Sequence, residues 1–151
     1  QFAYMGEMGS ENSSAISPEQ FDSWIKEGII SYWGYDKNIQ PYLEKATCIV
    51  LPSYREGLPI SLLEALAMQR PIITTNAPGC KDVIKDGLNG YICESRSTVS
   101  LTSAMEKMLN LPEEKRLVMG ELGRKQVEES YSMERIWQHY QAIESQIIQN
   151  S

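Results

Sequence analysis

The sequence is short of several residue types that mark particular classes of protein. It contains one histidine and three cysteines in 151 residues. Cys48, Cys80 and Cys93 have neither an even count nor the close paired spacing of zinc ligands. The sequence therefore predicts no metal site and no cofactor. The thiols are expected to be small, reduced core or turn residues of a protein in a reducing cytosol.

Basic residues are also scarce. The chain has 14 Lys and Arg residues against 20 Asp and Glu residues, which leaves a formal net charge of −6. The cations are scattered along the sequence, whereas a nucleic-acid surface needs clustered positive charge. Nucleic acid is therefore not an expected partner.

Long apolar runs are missing as well. No stretch approaches the roughly 20 residues that a membrane-spanning helix needs, and no charged-then-apolar leader opens the chain. Hydrophobic residues still make up 42% of the sequence, enough for a folded core. The length of 151 residues suits one domain, so we expect a single cytoplasmic domain without a signal peptide.

What the sequence does contain is a regular alternation of short apolar runs and helical patterns. Five runs are expected to be strands: QFAYM, IISYWG, TCIVLPS, PIITT and GYIC. Helices are expected after Ser17-Pro18, over 39–46, from Pro59, within 76–90, and at about 97–110, 113–129 and 132–149. Alternation of this kind predicts an α/β fold: a parallel sheet of about five strands with flanking helices. The third run, TCIVLPS, is apolar enough to predict burial on both faces.

The last predicted helix carries an apolar stripe at helical spacing: Met133, Ile136, Trp137, Tyr140, Ile143 and Ile147. The periodicity favours packing into the core of this domain. The alternative is that the stripe docks on a second domain that lies outside this chain.

In an open parallel sheet, ligands bind beyond the carboxyl ends of the strands. The candidate site therefore lies in the loops that follow the first four strands: Gly6–Gly9, Gly34 with Tyr35, Ser53 to Pro59, and Thr75 to Gly79. Glu56 stands in the third of these loops. This topology makes Glu56 a candidate site residue.

Glu64 is the second candidate, because it is the only charge between Gly57 and Gln69. Burying an unpaired carboxylate is costly, so we expect Glu64 to have a partner and to face the cleft. A carboxylate in that position accepts hydrogen bonds from a vicinal diol such as that of ribose. The backbone N–H groups of Gly57 and Leu58 precede the helix N-terminus and suit an anionic or polyhydroxyl ligand. The alternative is structural, because helical glutamates are commonly solvated and a glutamate before a helix favours its dipole.

The strongest motifs lie in residues 46–91, ATCIVLPSYREGLPISLLEALAMQRPIITTNAPGCKDVIKDGLNGY. They comprise a Pro-Ser strand end, E-G-x-P, E-A-x-A, a proline-led strand, G-x-x-acid and D-G-x-N-G. This segment, preceded by YWGYDKNIQPYLEKA, resembles the donor-binding domain of family-four (group 1) retaining glycosyltransferases. The residues that fill these motifs are similar to those of bacterial enzymes that build surface polysaccharides.

The resemblance implies a Rossmann-like sheet, the second half of a GT-B fold, with roles for particular residues. Glu56 matches the glutamate that contacts the hexose hydroxyls and is the implied catalytic residue. Glu64 matches the glutamate that binds the ribose of the nucleotide. Gly57 and Leu58 would offer backbone donors near the sugar and diphosphate, and Gly34 and Tyr35 would lie near the base.

The implied function is transfer of a hexose from a nucleotide-diphosphate sugar, with UDP as the expected nucleotide, to a lipid-linked or glycan acceptor. On this interpretation residues 1–151 form the C-terminal nucleotide-sugar-binding domain of a longer enzyme. The acceptor domain, the first strand of the donor domain and the basic loop that neutralises the diphosphate are outside the chain. The full enzyme would be cytoplasmic or peripheral at the inner membrane. The chain alone is expected to be inactive and to self-associate through an unpaired sheet edge or the apolar stripe.

Two other functions are compatible with the motifs. One is a non-catalytic sugar-nucleotide-binding or interaction module from a truncated gene. The other is a different GT-B enzyme that uses phosphate, such as a phosphorylase or a sucrose-phosphate-type synthase. An acceptor domain and a basic diphosphate loop upstream would favour the glycosyltransferase. The lone His139 lies on the last helix, far along the chain from the candidate loops, and is not an expected catalytic base.

Overall fold

The computed structural model describes residues 1–8 and 16–149 and divides the chain into two compact units, residues 1–39 and 40–151. The described residues of the first unit form strand β1 (Phe2–Tyr4), helix α1 (Pro18–Lys26) and strand β2 (Ile30–Tyr32). The two strands run parallel, with Phe2 opposite Ile30. Of the predicted site loop Gly6–Gly9 after β1, Gly9 lies outside the described residues.

Helix α1 begins and ends where the sequence predicts. The Ser17 hydroxyl accepts a hydrogen bond from the Gln20 N–H at 3.2 Å, and Pro18 occupies the first turn. Gly28 follows the helix with a φ of +71°, a conformation that glycine adopts without strain. Phe21 of α1 is buried. Its ring forms T-shaped contacts with the rings of Tyr4 and Tyr32, at centroid distances of 5.3 and 5.4 Å. This aromatic group fastens the helix to both strands.

The second unit contains a three-stranded parallel sheet in the order β3-β4-β5. Its described elements are α2 (Gln40–Lys45), β3 (Ile49–Leu51), α3 (Ile60–Ala67), β4 (Ile72–Thr75), α4 (Cys80–Val83), β5 (Gly90–Cys93), α5 (Thr98–Asn110), α6 (Glu113–Ser130) and α7 (Met133–Gln149). All four residues of the central strand β4 are buried. Ile73 packs with Met108 of α5 and Met119 of α6 in one apolar cluster.

The five predicted strands are therefore present and parallel, but they form two sheets instead of one. Alternation along a sequence predicts the direction of strands, and it leaves open which strands are neighbours. The prediction that the third strand is buried on both faces was wrong. Ile49, Val50 and Leu51 are only half-buried, because β3 lies at the edge of its sheet and pairs with β4 alone among the described strands.

Helix α3 packs closely against α6. A Cβ atom added to Gly120 would lie 2.1 Å from the carbonyl oxygen of Gln69, so only glycine allows this approach. Gln69 itself has a φ of +57°, the left-handed conformation that ends many helices. Glycine adopts this backbone angle without strain, whereas a residue with a Cβ atom does not.

The favoured interpretation of the α7 stripe as core was wrong for the described residues. Met133 is 78% exposed, Trp137 64% and Tyr140 65%. The stripe is an exposed apolar face of the helix, and its docking on another surface stays a prediction. None of the helices among residues 1–8 and 16–149 is long and apolar enough to cross a membrane.

Candidate functional site

The loop after β3, residues 52–59, holds Glu56 in a defined orientation. The carboxylate is half-buried, and its Oε1 accepts a hydrogen bond from the Ser53 hydroxyl at 2.7 Å. No described residue donates a hydrogen bond to the other oxygen of Glu56. One oxygen is therefore fixed by the protein, while the other is available to a hydroxyl group of a ligand.

The loop after β4 packs against the Glu56 loop and supports it. The Glu56 N–H donates to the carbonyl oxygen of Pro78 at 3.3 Å. Gly79 has a φ of +82°, and a Cβ atom there would lie 2.3 Å from the Gly57 carbonyl oxygen and 2.5 Å from that of Glu56. The Thr75 hydroxyl donates to the carbonyl oxygen of Ser53. These contacts make the position of Glu56 depend on a glycine 23 residues further along the chain.

Backbone donors follow Glu56 at the start of α3. The N–H groups of Gly57 and Leu58 have no acceptor among the described residues, and Gly57 is exposed. Pro59 is the N-cap residue and provides no side-chain cap to the helix. Unpaired donors and the positive end of a helix dipole lie together here, an arrangement that attracts anionic or polyhydroxyl groups.

Glu64 differs from its prediction in one respect. Its side chain is exposed, whereas Leu62, Ala65 and Leu66 form the buried face of α3. The argument that burial would require a partner was therefore wrong. An apolar helix is compatible with an exposed carboxylate when only one face is covered. The Glu64 carboxylate has no hydrogen-bond or ion-pair partner in the described part of the chain, so it is available to a ligand.

Gly34 and Tyr35 follow β2 in the first unit, at the carboxyl end of that strand. Gly34 has a φ of +77°, and its carbonyl oxygen accepts a hydrogen bond from the Gly6 N–H at 3.0 Å. Tyr35 is exposed. The loops after β1 and β2 are thus joined through their backbones.

Other parts of the motif segment are structural. Asp86 accepts a hydrogen bond from the Ile92 N–H at 2.8 Å, and the buried Asn89 accepts one from the Lys85 N–H at the same distance. These contacts form the turn that leads into the amino end of β5. Asp82 accepts a hydrogen bond from the Gly79 N–H at 3.0 Å and thereby caps α4. The D-G-x-N-G and G-x-x-acid motifs therefore build turns.

The three cations that lie nearest the motifs in sequence have different surroundings. Arg70 is half-buried and donates from Nη1 to the Ala46 carbonyl oxygen at 3.3 Å, so it serves the packing of α2. Arg55 and Lys81 are exposed. None of the three forms an ion pair with a described residue.

The cysteines are free, as predicted: Cys80 and Cys93 are buried and Cys48 is half-buried. Burial raises the pKa of the Cys48 thiol, an effect that the nearby Arg116 partly opposes, and burial also raises the pKa of Cys93. Neutral, shielded thiols are poor nucleophiles. Within residues 1–8 and 16–149, no three His, Cys, Asp or Glu side chains lie close enough together to hold a metal ion.

A groove of about 520 Å³ on the described surface lies away from Glu56. It is lined by Leu88, Tyr91, Leu111, Val118 and Leu122, among other residues of the turn before β5 and of helix α6. None of the predicted site residues lines it. The groove is therefore separate from the Glu56 loop.

Sequence reasoning did not assign a role to Ser53, Gly79 or Arg96. Ser53 and Gly79 belong to motifs that were recognised. Their spacing from Glu56 was the signal that could have indicated their supporting role. Arg96 follows β5, and its side chain lies over the ring of Tyr54 at 5.2 Å. Only the strand order brings Arg96 to this loop, so no local pattern could have indicated it.

Comparison with known proteins agrees with these motifs. Residues 25–126 match the family model "Glycosyl transferases group 1". A capsular polysaccharide biosynthesis glycosyltransferase from Staphylococcus aureus is 33% identical over 102 residues, which are 68% of this chain and 27% of that protein. The chain spans about a quarter to a third of the length of the curated relatives that it matches.

Solved structures show the same fold at lower identity. Sucrose-phosphate synthase from Thermosynechococcus elongatus superposes with a TM-score of 0.80 at 19% identity, over 99% of this chain and 39% of that one. Anabaena HepE in complex with UDP gives a TM-score of 0.76 at 15% identity, over 85% of this chain and 35% of that one. Identities this low establish the fold alone. The family model establishes more, and the chain belongs to the group 1 glycosyl transferases, enzymes of the GT-B fold.

Proposed function

We propose that this chain binds the donor in a retaining glycosyltransferase that moves a hexose from a nucleotide-diphosphate sugar, with UDP as the nucleotide, to a lipid-linked or glycan hydroxyl. The observation that carries the proposal is the Glu56 loop. Its carboxylate is oriented by Ser53, and the unpaired N–H groups of Gly57 and Leu58 follow it at the start of α3. A carboxylate that accepts hydrogen bonds from hydroxyl groups lies beside backbone N–H groups that donate to anionic oxygens. This combination matches the groups of a sugar diphosphate.

Each residue has a distinct task in this proposal. Glu56 accepts hydrogen bonds from hexose hydroxyls and orients the sugar at the reacting carbon. Glu64, exposed on the second turn of α3, accepts hydrogen bonds from the ribose diol. Gly57 and Leu58 donate to the diphosphate or the sugar.

The similarity to a capsular polysaccharide glycosyltransferase supports a glycan-building role, and the UDP in the complex of HepE supports UDP as the nucleotide. The chain covers 27% of the capsular relative, so acceptor groups and the diphosphate cations would come from the rest of a longer protein. Residues 1–151 alone should therefore transfer no sugar. Transfer by purified residues 1–151 would contradict this division of labour.

The experiment is a donor screen on the full-length protein. UDP-hexoses are incubated with a polyprenyl-diphosphate sugar or a glycan acceptor, and the anomeric configuration of the product is read by NMR. Transfer with the donor configuration retained is the expected result. Binding of UDP-hexose without transfer to any acceptor would favour the non-catalytic module, and an inverted product would contradict the retaining assignment. Phosphorolysis that releases a sugar phosphate would favour a phosphorylase.

A further inference from the structure

The segment after β5 reaches the Glu56 loop although β5 and β3 are not neighbours. The guanidinium carbon of Arg96 lies 5.2 Å from the centroid of the Tyr54 ring, within the range of a cation–π interaction. Strand β4 separates the two strands, and next-but-one strands lie roughly 10 Å apart. The Arg96–Tyr54 contact therefore spans the carboxyl end of β4.

Both ends of this contact are anchored in the sheet. Tyr54 directly follows Ser53, whose hydroxyl orients Glu56 and whose carbonyl oxygen accepts from Thr75. On the other side, the Asn76 side chain accepts from the Ser95 N–H at 3.1 Å and donates to Glu94 at 2.8 Å. The loops after β3, β4 and β5 are thus tied to one another at the edge that carries Glu56.

The backbone of Arg96 is unusual. Its φ is +60°, a left-handed conformation that is unfavourable for a residue with a Cβ atom. Such conformations persist where the surroundings fix them, and they concentrate at functional sites. Arg96 forms no ion pair with a described residue, and its side chain contacts the Tyr54 ring. The strained backbone directs a long cationic side chain back over the loop that bears Glu56.

We propose that Arg96 is a positioning residue, which acts through Tyr54 to hold the Glu56 loop in its sugar-binding position. This inference rests on the proposed donor-binding function. Arg96 would not touch the nucleotide, because the ribose contact is assigned to Glu64 on α3. Loss of the contact should therefore displace Tyr54 and Glu56 and impair use of the sugar. The Gly57 and Leu58 N–H groups, which adjoin the start of α3, and the ribose contact of Glu64 should stay in place, so the affinity for UDP should be unchanged.

The test uses three substitutions in the full-length protein. Arg96→Ala removes the cation and should lower kcat/KM for the UDP-hexose about 3- to 10-fold, while the Kd for UDP stays within twofold. Arg96→Lys keeps a cation over the ring and should recover most of the activity. Arg96→Asn should behave like Ala in turnover without loss of folding stability, since Asn tolerates left-handed backbone.

Lys107→Ala is the matched control. Lys107 lies over the Tyr91 ring at 4.7 Å, a second cation–π pair of the described residues that belongs to α5 and β5 rather than to the Glu56 loop. Its removal should leave turnover unchanged. Turnover of Arg96→Ala equal to that of Lys107→Ala would overturn the proposal. A weaker affinity for UDP in Arg96→Ala would also overturn it and would make Arg96 a ligand of the diphosphate.

Hydrogen exchange provides a readout that does not need activity. In Arg96→Ala, a peptide covering residues 53–59 should exchange faster, while one covering β4 should be unchanged. Faster exchange in both would indicate general destabilisation and would reject a specific positioning role, as would unchanged exchange in both. Failure of the wild-type protein to bind UDP or transfer sugar would reject the proposed function, while the exchange result would still decide whether Arg96 holds the loop.

Discussion

The dependence of the Glu56 loop on Gly79 can be tested by Gly79→Ala. The backbone at Gly79, with φ +82° and ψ −49°, is unfavourable for alanine, at a cost of about 1–3 kcal/mol. The new Cβ would also lie 2.3 Å from the Gly57 carbonyl oxygen, so the loop must move. Overpacking of this kind costs about 1–3 kcal/mol. The total expected loss in the free energy of unfolding is about 2–6 kcal/mol.

Gly87→Ala separates the two causes. Gly87 has a φ of +75°, and an added Cβ there meets no atom within 4 Å, so this variant carries backbone strain alone. Urea unfolding of both variants measures the difference, which should be about 1–3 kcal/mol. Equal losses would refute the close contact between the two loops. If Gly79→Ala folds and uses UDP-hexose with unchanged kcat and KM, the link between that contact and the sugar site is refuted instead.

Three further outcomes are expected. Gln69→Gly should raise the free energy of unfolding by up to about 1 kcal/mol in urea titrations, because it relieves a φ of +57°; a loss of stability would contradict the strain argument. Glu56→Ala in the full-length protein should cut turnover while leaving the affinity for UDP nearly intact, and equal loss of both would mean that Glu56 shapes the loop. Light scattering of residues 1–151 should show a dimer or larger assembly that Ile143→Asp weakens and Ser145→Asp, on the polar face, does not; a monomer at high concentration would refute association through α7.

Strand and helix positions could be predicted from the sequence because strong local signals bound them. Ser17 and Pro18 start α1, and Gly28 ends it, as predicted. Pairing between strands could not be predicted, because it depends on contacts between residues distant in the chain. The apolar pattern of β3 shows this limit, since the same residues suit a central strand and an edge strand.

Exposure was the least predictable property. Periodicity identified the apolar face of α7, but a stripe carries no information about what covers it. Glu64 was expected to be buried because its neighbours in sequence are apolar. The structure leaves its side of α3 uncovered.

The candidate site was predicted in part. The predicted parallel sheet alone indicated the loop with Glu56 as a site, and the motifs added Gly57, Leu58 and Glu64. The supporting contacts from Gly79 and Arg96 arise from neighbouring loops, at separations of 23 and 40 residues from Glu56. Such contacts follow from the strand order β3-β4-β5, which the sequence did not reveal.

Calorimetric titration of UDP into the full-length protein tests the account most directly, with wild type and Glu64→Gln compared. Gln keeps the size of the side chain and removes the charge, so hydrogen bonds from the ribose diol should weaken by about 1–3 kcal/mol. The account predicts measurable binding of UDP to the wild type and a Kd about 5- to 150-fold higher in Glu64→Gln. Equal affinity of the two proteins for UDP, or no binding of UDP by the wild type, would contradict it.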